Sequence, residues 1–211
     1  IMMPQMDGFE FCKITRTEIN LSHIPIIFLT AKTMQEDEIK GLKMGAVDYI
    51  YKPFNLVLLK LKVNNILLAQ NQIQERLRTE QLLQPEFVEL SSLDEIFLKN
   101  AVDSVNNNLD NPNLDIEAFA KDLGVSPNQA YRKIKALTGQ TAKEFIRNQR
   151  LKVAANLIIQ KKRRISEVIY MVGFTSPSYF TRCFRELYGC SPKEYMALEK
   201  RDHTPKTDKT S

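Results

Sequence analysis

The sequence is poor in the residue types from which metal, disulfide and catalytic sites are usually built. Among 211 residues there is no tryptophan, the two histidines His23 and His203 stand far apart, and the three cysteines are Cys12, Cys183 and Cys190. An odd number of widely spaced cysteines indicates reduced thiols rather than a disulfide or zinc framework. Because the sequence shows no metal-ligand cluster and no serine or cysteine with an evident base partner, an enzyme is the least favoured class.

Long apolar runs are also missing from the sequence. No stretch approaches the roughly 20 apolar residues that span a bilayer, and the amino terminus, which reads IMMP, has no signal-peptide pattern. These absences predict a soluble, cytoplasmic chain. The abrupt beginning at Ile1 indicates a fragment of a longer protein.

Acidic residues are scarce in the second half of the chain. Residues 1–112 carry 11 Lys and Arg against 15 Asp and Glu, a net charge of −4, whereas residues 113–211 carry 19 against 10, a net charge of +9. Between Ser126 and Arg185 there are 13 basic residues and only two acidic ones. Such an excess is typical of a surface that binds a polyanion. The alternative is a lysine-rich surface that is merely solvated.

The basic half contains one sequence pattern twice. Residues 126–145 read SPNQAYRKIKALTGQTAKEF and residues 176–195 read SPSYFTRCFRELYGCSPKEY, so serine, proline, arginine, leucine and glycine recur at equal positions. A short amphipathic stretch that ends in glycine precedes each copy, at 116–124 and at 165–173. A helix, a glycine turn and a second helix predict two helix-turn-helix motifs, which is the layout of a DNA-binding protein.

Each second helix should begin at its Ser-Pro pair, with serine as the cap and proline at the first helical position. The helical period turns six apolar side chains inward: Ala130, Ile134, Leu137, Phe180, Phe184 and Leu187. The outward side chains are Asn128, Tyr131, Arg132 and Lys135 in the first copy, and Ser178, Tyr179, Thr181, Arg182 and Arg185 in the second. In a major groove, arginine can bind guanine, asparagine can bind adenine, and a threonine methyl can contact thymine.

The first half of the chain alternates between strand and helix patterns. The run IPIIFLT at 24–30 has the β-branched enrichment of a strand buried on both faces, and residues 48–51 fit a second strand. Helices fit residues 8–18 and 34–44. We therefore predict a mixed fold, in which a truncated α/β fragment with a parallel sheet is followed by an all-α domain with two helix-turn-helix motifs.

Three short motifs in this half resemble the receiver domain of two-component response regulators. They are MPQMDG at 3–8, TA at 30–31 and YIYKPF at 49–54. The resemblance covers residues 1–69, which is only the back half of such a domain.

The resemblance implies a phosphoryl site at the carboxyl ends of the strands. Thr30 would bind the phosphoryl group, Lys52 would pair with it, and Tyr49 would be the rotating aromatic switch. The Met2 backbone carbonyl would contact Mg²⁺ in the intact receiver. The phosphate-accepting aspartate falls immediately before Ile1, so this chain by itself is expected to take up neither phosphate nor Mg²⁺ at that site.

A helical linker is predicted at 70–92, followed by an extra docking helix and its turn at 93–112. Asn55 can cap a helix that runs from Leu56 to Leu83. Five of its apolar positions follow the 4-3 rhythm of a two-helix seam, which favours a homodimer. They are Leu59, Val63, Ile66, Ile73 and Leu77. The alternative is that the first part packs on the receiver sheet and the rest is a solvated linker.

The phrase GFTSPSYFTRCFRELYGCSPKEY at 173–195, with the motif before it, resembles the signature of the AraC/XylS family of transcription activators. The resemblance spans 114–197, within a predicted domain at 113–198 that a disordered tail at 199–211 follows. It implies base contacts from Asn128, Tyr131 and Arg132, and from Pro177, Ser178, Thr181 and Arg182. Lys135 and Arg185 lie later on their helices and fit phosphate contacts.

A helix without glycine or proline at 145–160 should join the two motifs. It would hold their recognition helices about 34 Å apart, in successive major grooves.

These patterns favour a sequence-specific transcription regulator that binds double-stranded DNA as the output of a phosphorelay. Expected partners are a second copy, bound through the receiver or the linker helix, an upstream histidine kinase module and the transcription machinery. The parent is either a hybrid sensor kinase, which a membrane could anchor, or a separate response regulator. The alternative function is a receiver-derived dimerisation or docking module with DNA binding secondary.

Overall fold

The computed structural model describes residues 6–31, 35–80, 92–160 and 163–202, which form two strands and ten helices. In chain order the elements are α1 Gly8–Thr17, β1 Ile27–Thr30, α2 Gln35–Lys43, β2 Asp48–Tyr51, α3 Leu56–Glu80, α4 Ser92–Asn107, α5 Ile116–Asp122, α6 Pro127–Thr138, α7 Ala142–Ile159, α8 Ile165–Met171, α9 Pro177–Tyr188 and α10 Pro192–Asp202. A parallel sheet fragment followed by a helical region confirms the predicted mixed fold.

The chain divides into two compact units. The first contains the described residues up to Asn100 together with Val125–Thr141, and the second contains Ala101–Gly124 together with the described residues from Ala142 onward. Helices α1 to α3, both strands and α6 therefore belong to the first unit. Helices α5 and α7 to α10 belong to the second.

The sheet of the first unit is parallel, as predicted. Strands β1 and β2 pair with Ile27 opposite Asp48 and Thr30 opposite Tyr51. The predicted strand at 24–30 was too long at its beginning, and the expectation that both of its faces are buried was wrong. Phe28 is buried but Leu29, which points to the opposite face, is 38% exposed. The reason is that Phe28 packs against α1, whereas no described helix covers Leu29 fully.

A small aromatic core holds the receiver-like part together. The ring of Phe28 packs between those of Phe9 and Tyr49 in tilted contacts, with centroids 5.4 Å and 5.1 Å apart, and Cys12 is fully buried beside them. Gly41 is required by this packing, because a Cβ there would lie 2.5 Å from Cε2 of Tyr49. The buried strand faces and α1 thus form one cluster.

Helix α3 begins where the sequence predicts, because the Asn55 side chain accepts a hydrogen bond of 2.7 Å from the Val57 backbone N–H. It extends to Glu80, and the predicted end at Leu83 lies outside the described residues. Many of its apolar side chains face solvent, with Leu56 at 66% and Leu61 at 54% exposure. The predicted homodimer seam remains a prediction.

The amphipathic pattern of Ile96, Phe97, Ala101, Val102 and Val105 predicts the inner face of α4. Phe97, Ala101 and Val105 are buried, but Ile96 is 49% exposed, so its place on that face was wrong. Asp94 is buried instead, because it forms an ion pair with the ammonium of Lys133 on α6.

The second unit has one continuous apolar core around α7, α8 and α9. The helical period of the sequence predicts an apolar set in α7, and all six of its members are buried: Phe145, Ile146, Leu151, Ala154, Ala155 and Ile158. Phe180 and Phe184 on α9 are fully buried in a cluster with the last four of them, and the rings of Tyr188 and Tyr195 lie 4.6 Å and 5.5 Å from that of Phe184. The recognition helix of the second motif is therefore fixed through its inner face. Among the described residues, none of the helices has the length and apolarity needed to cross a bilayer.

Candidate nucleic-acid interface

Both recognition helices, α6 and α9, start and stop at the residues that the sequence repeat marks. The Ser126 hydroxyl accepts from the Gln129 N–H at 3.3 Å, and the Ser176 hydroxyl accepts from the Tyr179 N–H at 3.3 Å. A proline follows each serine at the first helical position. Gly139 and Gly189 end the helices with φ of +70° and +75°, a left-handed conformation that favours glycine.

The predicted DNA-facing side of α6 is open to solvent. Ala130, Ile134 and Leu137 are buried, which confirms the predicted inner face. The side chains predicted to contact DNA are all exposed: Asn128, Tyr131, Arg132 and Lys135. The last three also line a surface depression whose wall includes Gln74 of α3.

The predicted DNA-facing side of α9 is also open. Pro177, Ser178, Arg182 and Arg185 are exposed and Thr181 is half-buried. The five residues, with Glu186, line one shallow depression on the surface of the second unit. The structure therefore brings together all the α9 residues that the sequence predicts to contact DNA.

Two of these side chains have defined local geometry. The guanidinium of Arg182 lies over the ring of Tyr179, 5.2 Å from its centroid, and Nε is 3.9 Å from a carboxylate oxygen of Glu186. The Thr181 hydroxyl donates to the Pro177 carbonyl at 2.9 Å. Since that hydroxyl is already engaged with the backbone, the methyl group is the part of Thr181 available to a ligand.

Sequence reasoning missed a buried cation on α6. Lys133 is 1% exposed, and its ammonium lies 2.8 Å from a carboxylate oxygen of Asp94 and 2.9 Å from the Ser22 hydroxyl. It also donates to the Ile19 carbonyl and lies 4.9 Å from the centroid of the Phe97 ring. Within the first unit, Lys133 thus joins the recognition helix to the receiver-like part and to α4.

The signal for this burial was present in the sequence. Lys133 lies three residues after Ala130 and four before Leu137, which places it on the inner face of α6. A lysine at such a position predicts a buried carboxylate partner. That partner, Asp94, sits far away in the sequence and could not be identified by spacing.

Of the receiver-like residues, Thr30 ends β1 and Lys52 follows β2, whereas Tyr49 is the second residue of β2. Thr30 is buried, its carbonyl accepts a 2.7 Å hydrogen bond from the Lys52 backbone N–H, and the Lys52 side chain is exposed. Tyr49 is buried, and its hydroxyl donates to the Asp37 carbonyl at 3.0 Å. Burial raises the pKa of Tyr49 to about 12. The roles of Thr30, Lys52 and Tyr49 in phosphoryl binding and switching stay predictions.

The metal contact predicted for the Met2 carbonyl lies outside the described residues. Within the part of the chain that the structure describes, no group of three or more His, Cys, Asp and Glu side chains could hold a metal ion.

Known protein families match both the receiver-like part and the helix-turn-helix part of the chain. Residues 1–64 match the family described as response regulator receiver domain, and residues 119–197 match a family described as helix-turn-helix domain. The transcriptional regulatory protein SpaR of Bacillus subtilis is 34% identical over 156 residues, which cover 72% of this chain and 68% of that protein. The chain belongs to the response regulators. Its helix-turn-helix domain coincides with the residues whose sequence signature resembles the AraC/XylS family.

This response regulator is also similar to a much longer protein. Histidine kinase P4 of Formosa agariphila is 38% identical over 196 residues, which are 93% of this chain but 14% of that protein. Among solved structures, the C-terminal domain of AraT, a response regulator from Geobacillus stearothermophilus, matches 58% of this chain and 97% of its own with 26% identity and a TM-score of 0.45. The chain thus spans a small part of the length of Histidine kinase P4 but two thirds of the length of SpaR.

Proposed function

We propose that the exposed faces of α6 and α9 read base edges in the major groove, so that this response regulator acts as a sequence-specific transcription regulator. The observation that carries the proposal is the equivalence of the two helices. Each is capped by a Ser-Pro pair, ends at a left-handed glycine, buries its apolar face and exposes an arginine at the same position, Arg132 or Arg182. Helices of this design enter the major groove with their early residues.

The exposed side chains match the chemistry of base recognition. Arg132 and Arg182 can bind the two acceptors of guanine, and Asn128 can pair with adenine. Tyr131, Pro177 and Ser178 supply further contacts on the same faces. The later residues, Lys135 and Arg185, fit phosphate oxygens, which give affinity without sequence preference. The net charge of +9 in residues 113–211 supplies the attraction to the duplex.

Arg182 is held ready for such a contact. Its guanidinium rests on the Tyr179 ring and lies near Glu186, yet it is 68% exposed. Exposed ion pairs are weak, so a base edge can displace Glu186 at small cost. Stacking on a ring restricts the guanidinium without consuming its hydrogen-bond donors.

The receiver-like part supplies the proposed input. In an intact receiver, phosphorylation would add roughly two negative charges, which Thr30 and Lys52 would bind where the strands end, and Mg²⁺ would be taken up at the same site. An upstream histidine kinase module would provide the phosphoryl group, in line with the similarity to Histidine kinase P4. The chain itself would have no catalytic role, and it would act on the transcription machinery from its DNA site in the cytoplasm.

A second candidate function rests on the exposed apolar side of α3. Leu56, Leu61, Leu67 and Leu68 are each at least half exposed. Exposed apolar side chains in this number fit a second copy of the chain or another protein, with DNA binding secondary. A homodimer would double the contacts with DNA, so the two functions are compatible.

Selection of duplexes from random-sequence DNA by the full chain tests the proposal. We expect a defined site whose base positions divide into two groups. Arg132→Ala should lose the base preference at one group, and Arg182→Ala should lose it at the other. The matched control is Lys143→Ala, which removes an exposed cation of α7 and should leave the selected sequence unchanged. Retention of duplexes without any common sequence would contradict base reading and would favour the docking function.

A further inference from the structure

Arg150 occupies an unusual place in the middle of α7. The residue is 7% exposed, although arginine is almost never buried unless it is paired. Its guanidinium donates to backbone carbonyls rather than to a carboxylate: Nη1 lies 3.4 Å from the Gly173 oxygen, and Nη2 lies 3.3 Å from the Asn108 oxygen and also contacts the Asn111 oxygen. One planar cation therefore binds three carbonyls from two separate turns.

The first of these turns belongs to the second helix-turn-helix motif. Gly173 follows α8 and leads within four residues to α9. The turn is closed by hydrogen bonds from the Gly173 N–H to the Tyr170 carbonyl at 3.0 Å and from the Phe174 N–H to the Ile169 carbonyl at 3.1 Å. The direction in which the chain leaves this turn determines where α9 begins.

The second turn follows α4 and precedes α5. The Asn111 N–H donates to the Asn108 carbonyl at 3.3 Å, and Leu109 packs against the core of the second unit. Arg150 thus ties this turn, its own helix and the turn before α9 into one structure.

The site is tightly filled around Gly173. This glycine has φ of +73°, and a Cβ there would lie 2.6 Å from the Leu109 oxygen and 2.9 Å from Cζ of Arg150. Gly124, the corresponding turn glycine of the first motif, has φ of +67° with nothing within 4 Å of a Cβ. Close packing against a cation is therefore special to the second motif.

Burying this cation is unfavourable in itself. Desolvation lowers the pKa of Arg150, and three carbonyls replace only part of the lost hydration. An apolar side chain would avoid that penalty, but it could not bind both turns. The planar guanidinium can bind both turns, because its several donors point in fixed directions.

We propose that Arg150 is a positioning residue for DNA recognition, which orients the recognition helix α9 by holding the turn at Gly173. This inference rests on the proposed function. Arg150 would not contact the bases, whereas Arg132 and Arg182 would.

Two variants of the full chain test the role. Arg150→Lys keeps the charge, but its compact ammonium lacks the planar fork of donors that spans both turns, and Arg150→Met removes the charge. We expect the preference at the bases assigned to Arg182 to fall roughly tenfold, the size of one lost bidentate contact. Preference at the bases assigned to Arg132 and the salt dependence should be nearly unchanged. Arg147→Met, three residues earlier on α7, is the matched control.

Hydrogen exchange supplies a second readout that remains valid if Arg150→Met does not fold. In Arg150→Lys, exchange of the Gly173 and Phe174 amides should accelerate roughly tenfold, whereas amides within α7 should keep their protection. Equal loss of preference at both groups of bases would overturn the inference, as would unchanged preference despite faster exchange. If the wild-type chain selects no sequence at all, the proposed function fails first, and that result is distinct from either of these.

Discussion

The ammonium of Lys133 and the carboxylate of Asp94 form a buried ion pair of 2.8 Å. The same carboxylate accepts a 2.7 Å hydrogen bond from the Ser22 hydroxyl, which lies 2.9 Å from the Lys133 ammonium. Three regions of the first unit, namely the loop before β1, helix α4 and the recognition helix α6, thus share one polar cluster. Contacts of this kind depend on every member being present, because each charge is hidden from water.

Asp94→Asn should be strongly destabilising. It leaves the Lys133 ammonium buried without its counter-charge, and removal of one partner of a buried pair costs about 3 to 5 kcal/mol. Urea unfolding measures the change. The double variant Asp94→Leu with Lys133→Met should recover most of the stability, because it removes both charges. If the double variant were as unstable as Asp94→Asn, the charge would not be the cause.

Arg182→Ala and Lys135→Ala should weaken DNA binding in different ways. Loss of a guanine contact should cost about 1 to 3 kcal/mol at one base position, while loss of a phosphate contact should weaken all sequences similarly and flatten the salt slope by about one. Titrations of the selected duplex and a scrambled one at several salt concentrations separate the two effects. Parallel losses on both duplexes for Arg182→Ala would remove it from the base-reading residues.

Thr181 should read a thymine methyl group through its own methyl group. Its hydroxyl is engaged with the Pro177 carbonyl. We expect Thr181→Ser, which loses only the methyl, to lower the preference for thymine over uracil by about 0.8 kcal/mol, the value of one buried methylene. Thr181→Val keeps the methyl and should retain the preference. The measurement is the affinity for the selected duplex with thymine or deoxyuridine at each position.

Gly173→Ala should cost more stability than Gly124→Ala, although both glycines have similar positive φ. The left-handed conformation penalises alanine by about 1 to 2 kcal/mol at both positions. Only at Gly173 does the new Cβ meet the Leu109 oxygen and Arg150, which adds about 1 to 3 kcal/mol of overpacking. Thermal unfolding of the two variants gives the difference, and equal losses would show that the turn can relax around the added methyl.

Lys152 should make the chain more stable as the pH rises from 8 to 10. Burial lowers its pKa to about 8, from an ordinary value of 10.5. Between these values the unfolded chain binds more protons than the folded chain, so the free energy of unfolding increases with pH. Lys152→Met should flatten this dependence, and Lys143→Met, an exposed lysine of the same helix, should not. A pH-independent stability in the wild type would contradict the burial argument.

Local features of the candidate interface could be predicted closely. The Ser-Pro starts and glycine ends of α6 and α9, the buried faces of both helices and the cap at Asn55 all agree with the structure. Each of these depends on interactions within about four residues, which the sequence displays directly.

Errors arose where a side chain depends on distant neighbours. Ile96 and Leu29 fit apolar periods yet are largely open to solvent, because no element among the described residues covers them fully. Lys133 and Arg150 lie on the inner faces of their helices. Their burial was not predicted, because charged side chains are mostly exposed. Their partners, Asp94 in one case and the carbonyls of two turns in the other, come from distant parts of the chain.

The sequence by itself determined the order of the elements from α1 to α9, the limits of both recognition helices and the side chains that these helices expose, because capping and the helical period are local properties. It did not predict α10, which extends to Asp202, into the stretch assigned to a disordered tail. Only the tertiary structure decided which charges are buried and what holds the turn before α9. The physical reason is that a buried cation is stable only where folding assembles its acceptors, and no local pattern encodes which distant groups will meet.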